Sequence, residues 1–331
     1  MRKHNQKLKL LCLLDLLKND TDEDHPFTTA DICKKMNEMG IPCDRRTLKD
    51  DIKDLENYGI EIMHTNEGHS KAYYIDDCKF TIPELKILID SVQAASFITE
   101  NKSNELTQKI AALSGKQRSQ LLTENIIRFN TTKHTNEGVY YTVGTLEEAI
   151  RKHFKVSYLY FDLDENGDRA YRKNKERYVV DPIALIYNDD NYYMVCYTEK
   201  YDALNNYRLD RMEQVDIIKE PICSAAEDSK NNLTNHVEQS IHMYTGQTAN
   251  VVLKLDNSLI GTIYDEFGEG TKMIRLDDNT CITTVTIQIS PTFWGWIFQF
   301  SDRIQILEPV SLINTYRELC KKIIRTLGKE E

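Results

Sequence analysis

Residues 177–197 read RYVVDPIALIYNDDNYYMVCY, and NYRLDRMEQVDI follows at 206–217. Two apolar runs of strand length flank Asn188-Asp189-Asp190, residues that tolerate the left-handed backbone of a tight turn. The stretch therefore reads as a hairpin with another strand behind it. Along Asn191–Tyr197, alternation puts Tyr192, Met194 and Cys196 on one face and Tyr193, Val195 and Tyr197 on the other. Neither face is polar. Rings on such a strand either fill a core or line a site for something flat and charged, and Tyr192 is assigned to packing. Several short strands joined by turns predict a small, curled barrel.

Working upstream, EEAIRKHF predicts a short helix, KVSYLYFDL a strand and DENGDRAYRKNKE a loop. Asp162, Asp164, Asn166 and Gly167 match the first half of a calcium loop, but Lys173 stands where the closing carboxylate must be. A cation there repels the metal, so the segment is read as a hairpin loop and no metal is expected.

The run RYVVDPIALIYNDDNYYMVCY…NYRLDRMEQVDI resembles the WYL domain of bacterial transcriptional regulators. The name-giving Trp-Tyr-Leu falls on Tyr192, Tyr193 and Met194, so two of its letters are substituted. The resemblance implies an Sm-like barrel that senses a negatively charged ligand, a nucleotide or single-stranded nucleic acid. It carries the ligand site to Tyr193, Arg208 and Arg211. Chemistry agrees, since aromatic faces stack bases and guanidinium forks hold phosphates. Tyr158 and Tyr160 could add stacking surface, and Tyr160 joins the expected site. On a straight strand Arg208 and Arg211 point to opposite faces, so they share a site only if the chain bends near Asp210. Otherwise one arginine pairs with Asp210 or a neighbouring carboxylate.

At the N-terminus, Leu10, Leu13, Leu14 and Leu17 repeat at helical spacing. A second helix is capped by Thr28 or Thr29, buries Ile32, Met36 and Met39, and stops at Gly40. Asp44 caps a third, DRRTLKDDIKDLENYG, whose buried stripe is Leu48, Ile52 and Leu55. Beside that stripe lies a cationic band of Arg45, Arg46, Lys49 and Lys53, with Asp50, Asp51 and Asp54 round the back. IEIMHTNEGHSKAYYI then reads as a hairpin about Asn66-Glu67-Gly68. Three helices and a hairpin make a winged helix-turn-helix, whose third helix enters the DNA major groove. The expected DNA-binding residues are Arg45, Arg46, Thr47, Lys49, Lys53 and Lys71. Residues 1–80 hold 13 Lys and Arg against 16 Asp and Glu. Such a head binds weakly alone, and a homodimer is expected.

Thr81, Pro83 and Glu84 form a capping box opening a linker helix, and NELTQKIAALSG forms another ending at Gly115. The polar stretch 131–138 reads as a boundary. Beyond the barrel, ANVVLKLD, NSLIGTIYDEFG, TKMIRLD, TCITTVTIQIS, PTFWGWIFQF and RIQILEP give the order βαββαβ, a ferredoxin-like sandwich, with VSLINTYRELCKKIIRTLG as a closing helix stopped by Gly328. FWGWIFQFSDRIQILEP resembles the extension that accompanies WYL domains, and Trp294, Trp296 and Phe298 read as core or dimer contacts. Gly268-Glu-Gly270 precedes a strand, so it is no phosphate loop.

The expected fold is thus α+β and multidomain. It comprises a winged helix (1–78), linker helices (79–138), a WYL barrel (139–222), a second linker (223–247) and the C-terminal extension (248–331). With 40% hydrophobic and 28% charged residues the chain is globular, and its net charge of −10 excludes a generally basic coat protein but not a local basic face. Eight cysteines without a CxxC pair point to a reducing cytoplasm. Arg2, Lys3, Lys7 and Lys9 before LKLLCLLDLL imitate a signal peptide, but Asp15 and Lys18 break the apolar run, and no membrane span is expected. His134 and His153 are isolated, and no catalytic motif, cofactor or metal is expected. The expected function is a DNA-binding transcriptional regulator acting on an operator in double-stranded DNA, with an anionic effector. The alternatives are a protein-interaction adaptor and a nucleic-acid enzyme docked by a winged helix.

Overall fold

The computed structural model describes residues 2–67, 70–76, 79–124, 133 and 137–327, with side chains from Leu8 onward apart from those at 67 and 301. Gly68, Cys78, His134, Gly328 and most of the 131–138 boundary lie outside the described residues. The chain divides into two compact units, 1–135 and 136–331.

The first unit opens with α1 (Arg2–Asp20), β1 (Phe27–Thr28), α2 (Thr29–Glu38), α3 (Arg45–Asn57), β2 (Met63–Glu67) and β3 (Ser70–Tyr74), the strands forming an antiparallel sheet in the order β1-β3-β2. Leu13, Leu16, Leu17, Ile32, Met36, Leu48, Ile52 and Leu55 meet in one core, which makes this a winged helix. Thr28 caps α2 in a reciprocal box with Asp31. Met39, expected inside, is exposed because the helix has already ended and Met39 is its C-cap. The wing strands run on through Asn66 and Glu67, which were expected in the turn, and Glu67 pairs with Ser70. Thr21 pins wing to helix: its hydroxyl donates to the Leu17 carbonyl at 2.5 Å and accepts from the Ile75 amide at 3.3 Å.

Three helices follow, α4 (Ile82–Ala94), α5 (Glu100–Ala112) and α6 (Lys116–Glu124). The Thr81–Glu84 box opens α4 as expected. α6 was not foreseen, because KQRSQLLTE is polar almost throughout and buries only Leu122. The Lys133 ammonium reaches the carbonyls of Gln93 (2.6 Å) and Ala95 (2.8 Å), which neutralises the C-terminal end of α4.

The second unit begins with α7 (Gly138–Lys152), twice the expected helix because Val139, Thr142, Leu146 and Ala149 extend one buried stripe. The barrel comprises β4 (Phe154–Leu163), β5 (Arg169–Tyr171), β6 (Tyr178–Asn188), β7 (Asn191–Thr198), β8 (Ala203–Arg208) and β9 (Met212–Pro221). The sheet runs β5-β4-β6-β7-β8, and β9 returns to pair with β4, so the sheet curls upon itself. Asp189 (φ 44°) and Asp190 (φ 59°) make the tight β6–β7 turn. As the absence of a polar face required, Tyr193, Met194, Val195, Cys196 and Tyr197 are all buried.

Two short helices, α8 (Ser224–Ser229) and α9 (Leu233–Glu238), lead to the C-terminal sandwich. It contains β10 (Gln247–Asp256), α10 (Ile260–Phe267), β11 (Met273–Arg275), β12 (Thr280–Ile289), α11 (Pro291–Gln299), β13 (Ile304–Glu308) and α12 (Val310–Leu327). The antiparallel order β11-β12-β10-β13 is the ferredoxin-like arrangement. Trp296 is buried and Trp294 stacks on Tyr316, whereas Phe298 is exposed. α9 ties barrel to sandwich. His236 meets Asn206 Oδ1 through Nε2 (3.0 Å) and the Gln288 amide through Nδ1 (3.3 Å). Gln288 also accepts from the Gly246 amide at 2.9 Å.

A Cβ on Gly246 would lie 2.0 Å from the Ile289 carbonyl oxygen, so the backbones approach as only glycine permits. Gly246→Ala is expected to destabilise this unit by about 1–3 kcal/mol through forced displacement of β10 from β12, measured by urea unfolding.

Candidate nucleic-acid interface and effector site

The first site is the outer face of α3. Asp44 caps the helix by accepting from the amides of Arg46 (2.9 Å) and Thr47 (3.0 Å), and those bonds hold its carboxyl below the usual range. Asp51 is 2.5 Å from the buried Lys9 ammonium on α1, which also donates to the Thr47 hydroxyl at 3.1 Å. Two of the acids nearest the helix start are thereby satisfied internally. Arg45, Arg46, Lys49 and Lys53 are exposed, and among the described residues none of them carries an ion pair. Thr47, exposed but bonded to Lys9, is a positioning residue at the edge of this band. Lys71 stands on the wing with its ammonium 5.1 Å from the Tyr73 ring centroid.

The second site lies at one end of the barrel. β8 stops at Arg208, residues 209–211 form a single tight turn, and β9 starts at Met212. This is the bend near Asp210 that a shared arginine site required. Tyr160 sits at its centre: the phenol oxygen accepts from the Arg208 amide at 3.2 Å, and burial pushes its pKa up to about 12, against that bond and the charges of Arg211 and Arg172. Arg208 makes a fork with Asp210 at 3.0 and 2.9 Å. Burial opposes its charge and the Asp210 carboxylate overcomes that, so its pKa rises. Arg211 donates to Asp162 at 2.8 Å. The bend and the internal carboxylate pairing therefore occur together. Tyr193 is buried beside Val195 and Met243, opposite Arg208 in the β7–β8 ladder. It borders the arginine but offers little open ring surface.

Arg172 was missed. It also forks onto Asp162, at 2.6 and 3.0 Å, and its guanidinium lies 5.1 Å from the Tyr160 ring centroid. These bonds, Arg172's first, hold the Asp162 carboxyl low against its burial. Lys173, Asn174 and Lys175 have left-handed φ of 49°, 51° and 67°, which folds the RKNK turn back over the barrel. Lys173 consequently lies 3.6 Å from the Tyr178 centroid, Lys175 4.9 Å from Tyr171, and Arg169 4.8 Å from Phe161. Beneath them Tyr158, Tyr160, Tyr178 and Tyr207 pack ring on ring, with Tyr158 stacked on Tyr178 at 5.4 Å. The signal was present as five cations within 169–177, but it stood in a stretch read only as a loop.

Asp181, Glu199 and Cys223 bring three metal-ligand types together. The Lys155 ammonium sits on both carboxylates, at 2.8 and 2.6 Å, so the chain supplies its own cation there.

The chain joins a winged helix to a curled barrel and a ferredoxin-like sandwich. Family models match twice: the WYL domain over residues 141–217 and the WCX domain over 247–324. The chain thus carries a WYL domain followed by a WCX domain. No curated protein matches it. Among solved structures it is similar to the proteasome accessory factor B/C (PafBC) of Arthrobacter aurescens, at 19% identity and a TM-score of 0.30, covering 94% of this chain and 47% of that one. The chain thus spans about half the length of that protein.

Two tyrosines separate architecture from burden. Tyr160→Phe removes the acceptor of a half-buried amide and should cost about 1–3 kcal/mol in urea unfolding. The Tyr158 hydroxyl, buried with no partner among the described residues, predicts the opposite for Tyr158→Phe: unchanged or raised stability.

Proposed function

We propose that this protein is a homodimeric transcriptional regulator that reads an operator in duplex DNA through α3 and is modulated by an anionic ligand at the barrel. The observation that carries the DNA reading is the uncommitted band of Arg45, Arg46, Lys49 and Lys53 in a head that has more acids than bases. With Asp44 held by the helix cap and Asp51 by Lys9, the local field along that edge is positive although the segment is not. Arg45 and Arg46, in the first turn, reach base edges or phosphates. Lys49, Lys53 and the wing's Lys71 hold the backbone. Asp50 and Asp54 flank the band and repel phosphate, which limits a single head to weak binding.

At the barrel the ligand is a nucleotide or a short single strand of nucleic acid. Its phosphates exchange for the carboxylates now on Arg172, Arg208 and Arg211, and its bases meet the aromatic wall around Tyr160, with Tyr193 supporting Arg208 from behind. Regulation follows from linkage: a ligand that binds one disposition of the two heads more tightly shifts the population toward it and changes operator affinity by the same free energy. The family's members regulate transcription, and no catalytic role is proposed.

Selection of duplexes from a random pool by the purified protein tests the DNA reading. An enriched inverted repeat is expected, and Arg46→Ala or Lys49→Ala should each lower the salt slope by about 1 if the residue holds a phosphate. A pool that stays random at low and high salt would overturn it. For the barrel, Asp162→Asn releases Arg172 and Arg211 and should raise affinity for a short single-stranded oligonucleotide by about tenfold, ~1.4 kcal/mol. Arg172→Ala should lower it, and equal affinity in all three proteins would remove the site.

A further inference from the structure

Cys33 on α2 and Cys43, the residue before the Asp44 cap of α3, bring their sulfurs to 3.8 Å across the turn of the helix-turn-helix. Both are free thiols and both are partly exposed. Their backbones are fastened to each other by one side chain. The Asn37 amide donates to the carbonyls of Cys33 (2.6 Å) and Cys43 (3.0 Å) and accepts from the Cys43 amide (3.1 Å). The separation of the two sulfurs is thus set by a clipped turn rather than by chance approach of loose loops. A disulfide needs about 2.05 Å between sulfurs, and the remaining gap lies within what side-chain rotation at two cysteines covers.

We propose that Cys33 and Cys43 form a reversible dithiol–disulfide pair that responds to peroxide. The Cys43 S–H donates to the Cys33 sulfur, which places Cys33 as the attacking sulfur and Cys43 as the resolving one. Burial first, then that bond, push the Cys43 thiol up to about 12, which keeps it protonated until it is needed. The Cys33 thiolate attacks one peroxide oxygen, the O–O bond breaks, and hydroxide leaves and is protonated to water, giving a sulfenic acid. Cys43 then attacks that sulfur. The S–O bond breaks, the hydroxyl takes the Cys43 proton and departs as a second water, and the S–S bond closes. Two thiols have lost two electrons and two protons, and one peroxide has become two waters. A dithiol reductant reverses the reaction by exchange.

In a reducing compartment such bonds are transient and signal-bearing rather than structural. The position fits that use. The disulfide would fasten the residue immediately before Asp44, whose carboxylate fixes the first turn of α3 and with it Arg45 and Arg46. The pair stands on geometry alone and is independent of whether the head binds DNA.

The test is peptide mapping of the full-length protein after mild hydrogen peroxide, with thiols alkylated before digestion. The expected product is a single cross-link joining the Cys33 and Cys43 peptides, two hydrogens lighter than the reduced pair and abolished by dithiothreitol. Cys33→Ser and Cys43→Ser should each prevent it. Cys12→Ser should not, although Cys12 borders the same core. Oxidation of Cys33 to sulfinic acid without a cross-link, a cross-link to Cys12 instead, or two alkylated thiols after peroxide would each overturn the proposal, and the wild-type map reads all three without any variant.

Discussion

The barrel closes at one corner, the tight turn Leu209–Arg211, and most of what the second unit can do depends on that closure. β8 must change direction there for β9 to reach β4. Leu209 is fully buried and anchors the turn from inside. The Tyr160 phenol receives the amide of Arg208, the last residue of β8. Outside, the Arg208–Asp210 fork spans the turn itself. A straight chain would send Arg208 and Arg211 to opposite faces. The bend gathers both beside Tyr160, and the RKNK turn adds Arg172.

Each of these arginines has an internal carboxylate partner, Asp162 being shared by Arg172 and Arg211. Arginines without partners in a half-buried site would repel one another and cost stability. Asp162 and Asp210 offset two of the three guanidinium charges of Arg172, Arg208 and Arg211, and under the proposed function an incoming phosphate would exchange one anionic partner for another. The net gain per exchange is small, because partly exposed ion pairs are worth little in water. Under the proposed function, affinity would come from several phosphates at once or from stacking on the tyrosines, so multidentate anions with flat groups would be favoured over simple ones.

The winged head solves a related problem with the opposite sign. It is acidic overall, yet α3 must keep cations unclaimed if it is to meet phosphate. Capping consumes Asp44, and the buried Lys9 consumes Asp51, so charges that would quench the band are spent on structure. The Lys9–Asp51 contact also joins α1 to α3, and the position of the outer face follows from the core beneath it.

The sequence by itself determined the elements and their order. Helical spacing of Leu48, Ile52 and Leu55, a cap at Thr28 or Thr29, the capping box at Thr81, the Asp189-Asp190 turn and the βαββαβ succession are local patterns, and local patterns are written in neighbouring residues. It missed what depended on boundaries: the exposure of Met39, the strand pairing of Asn66 and Glu67, the start of α7, and the polar α6. The aromatic and cationic surroundings of Tyr160 were only half legible. Tyr193, Arg208 and Arg211 were named, but Tyr193 is mostly covered, and Arg172 and Lys173 stood in a cationic stretch read as a loop. Only the tertiary structure decided that this loop lies over Tyr160 and Tyr178, that Asp162 holds two arginines, and that Cys33 faces Cys43. The reason is physical: the course of the loop is set by a strand bend and three left-handed residues, and the approach of Cys33 to Cys43 by the Asn37 bonds, directions that no local spacing encodes.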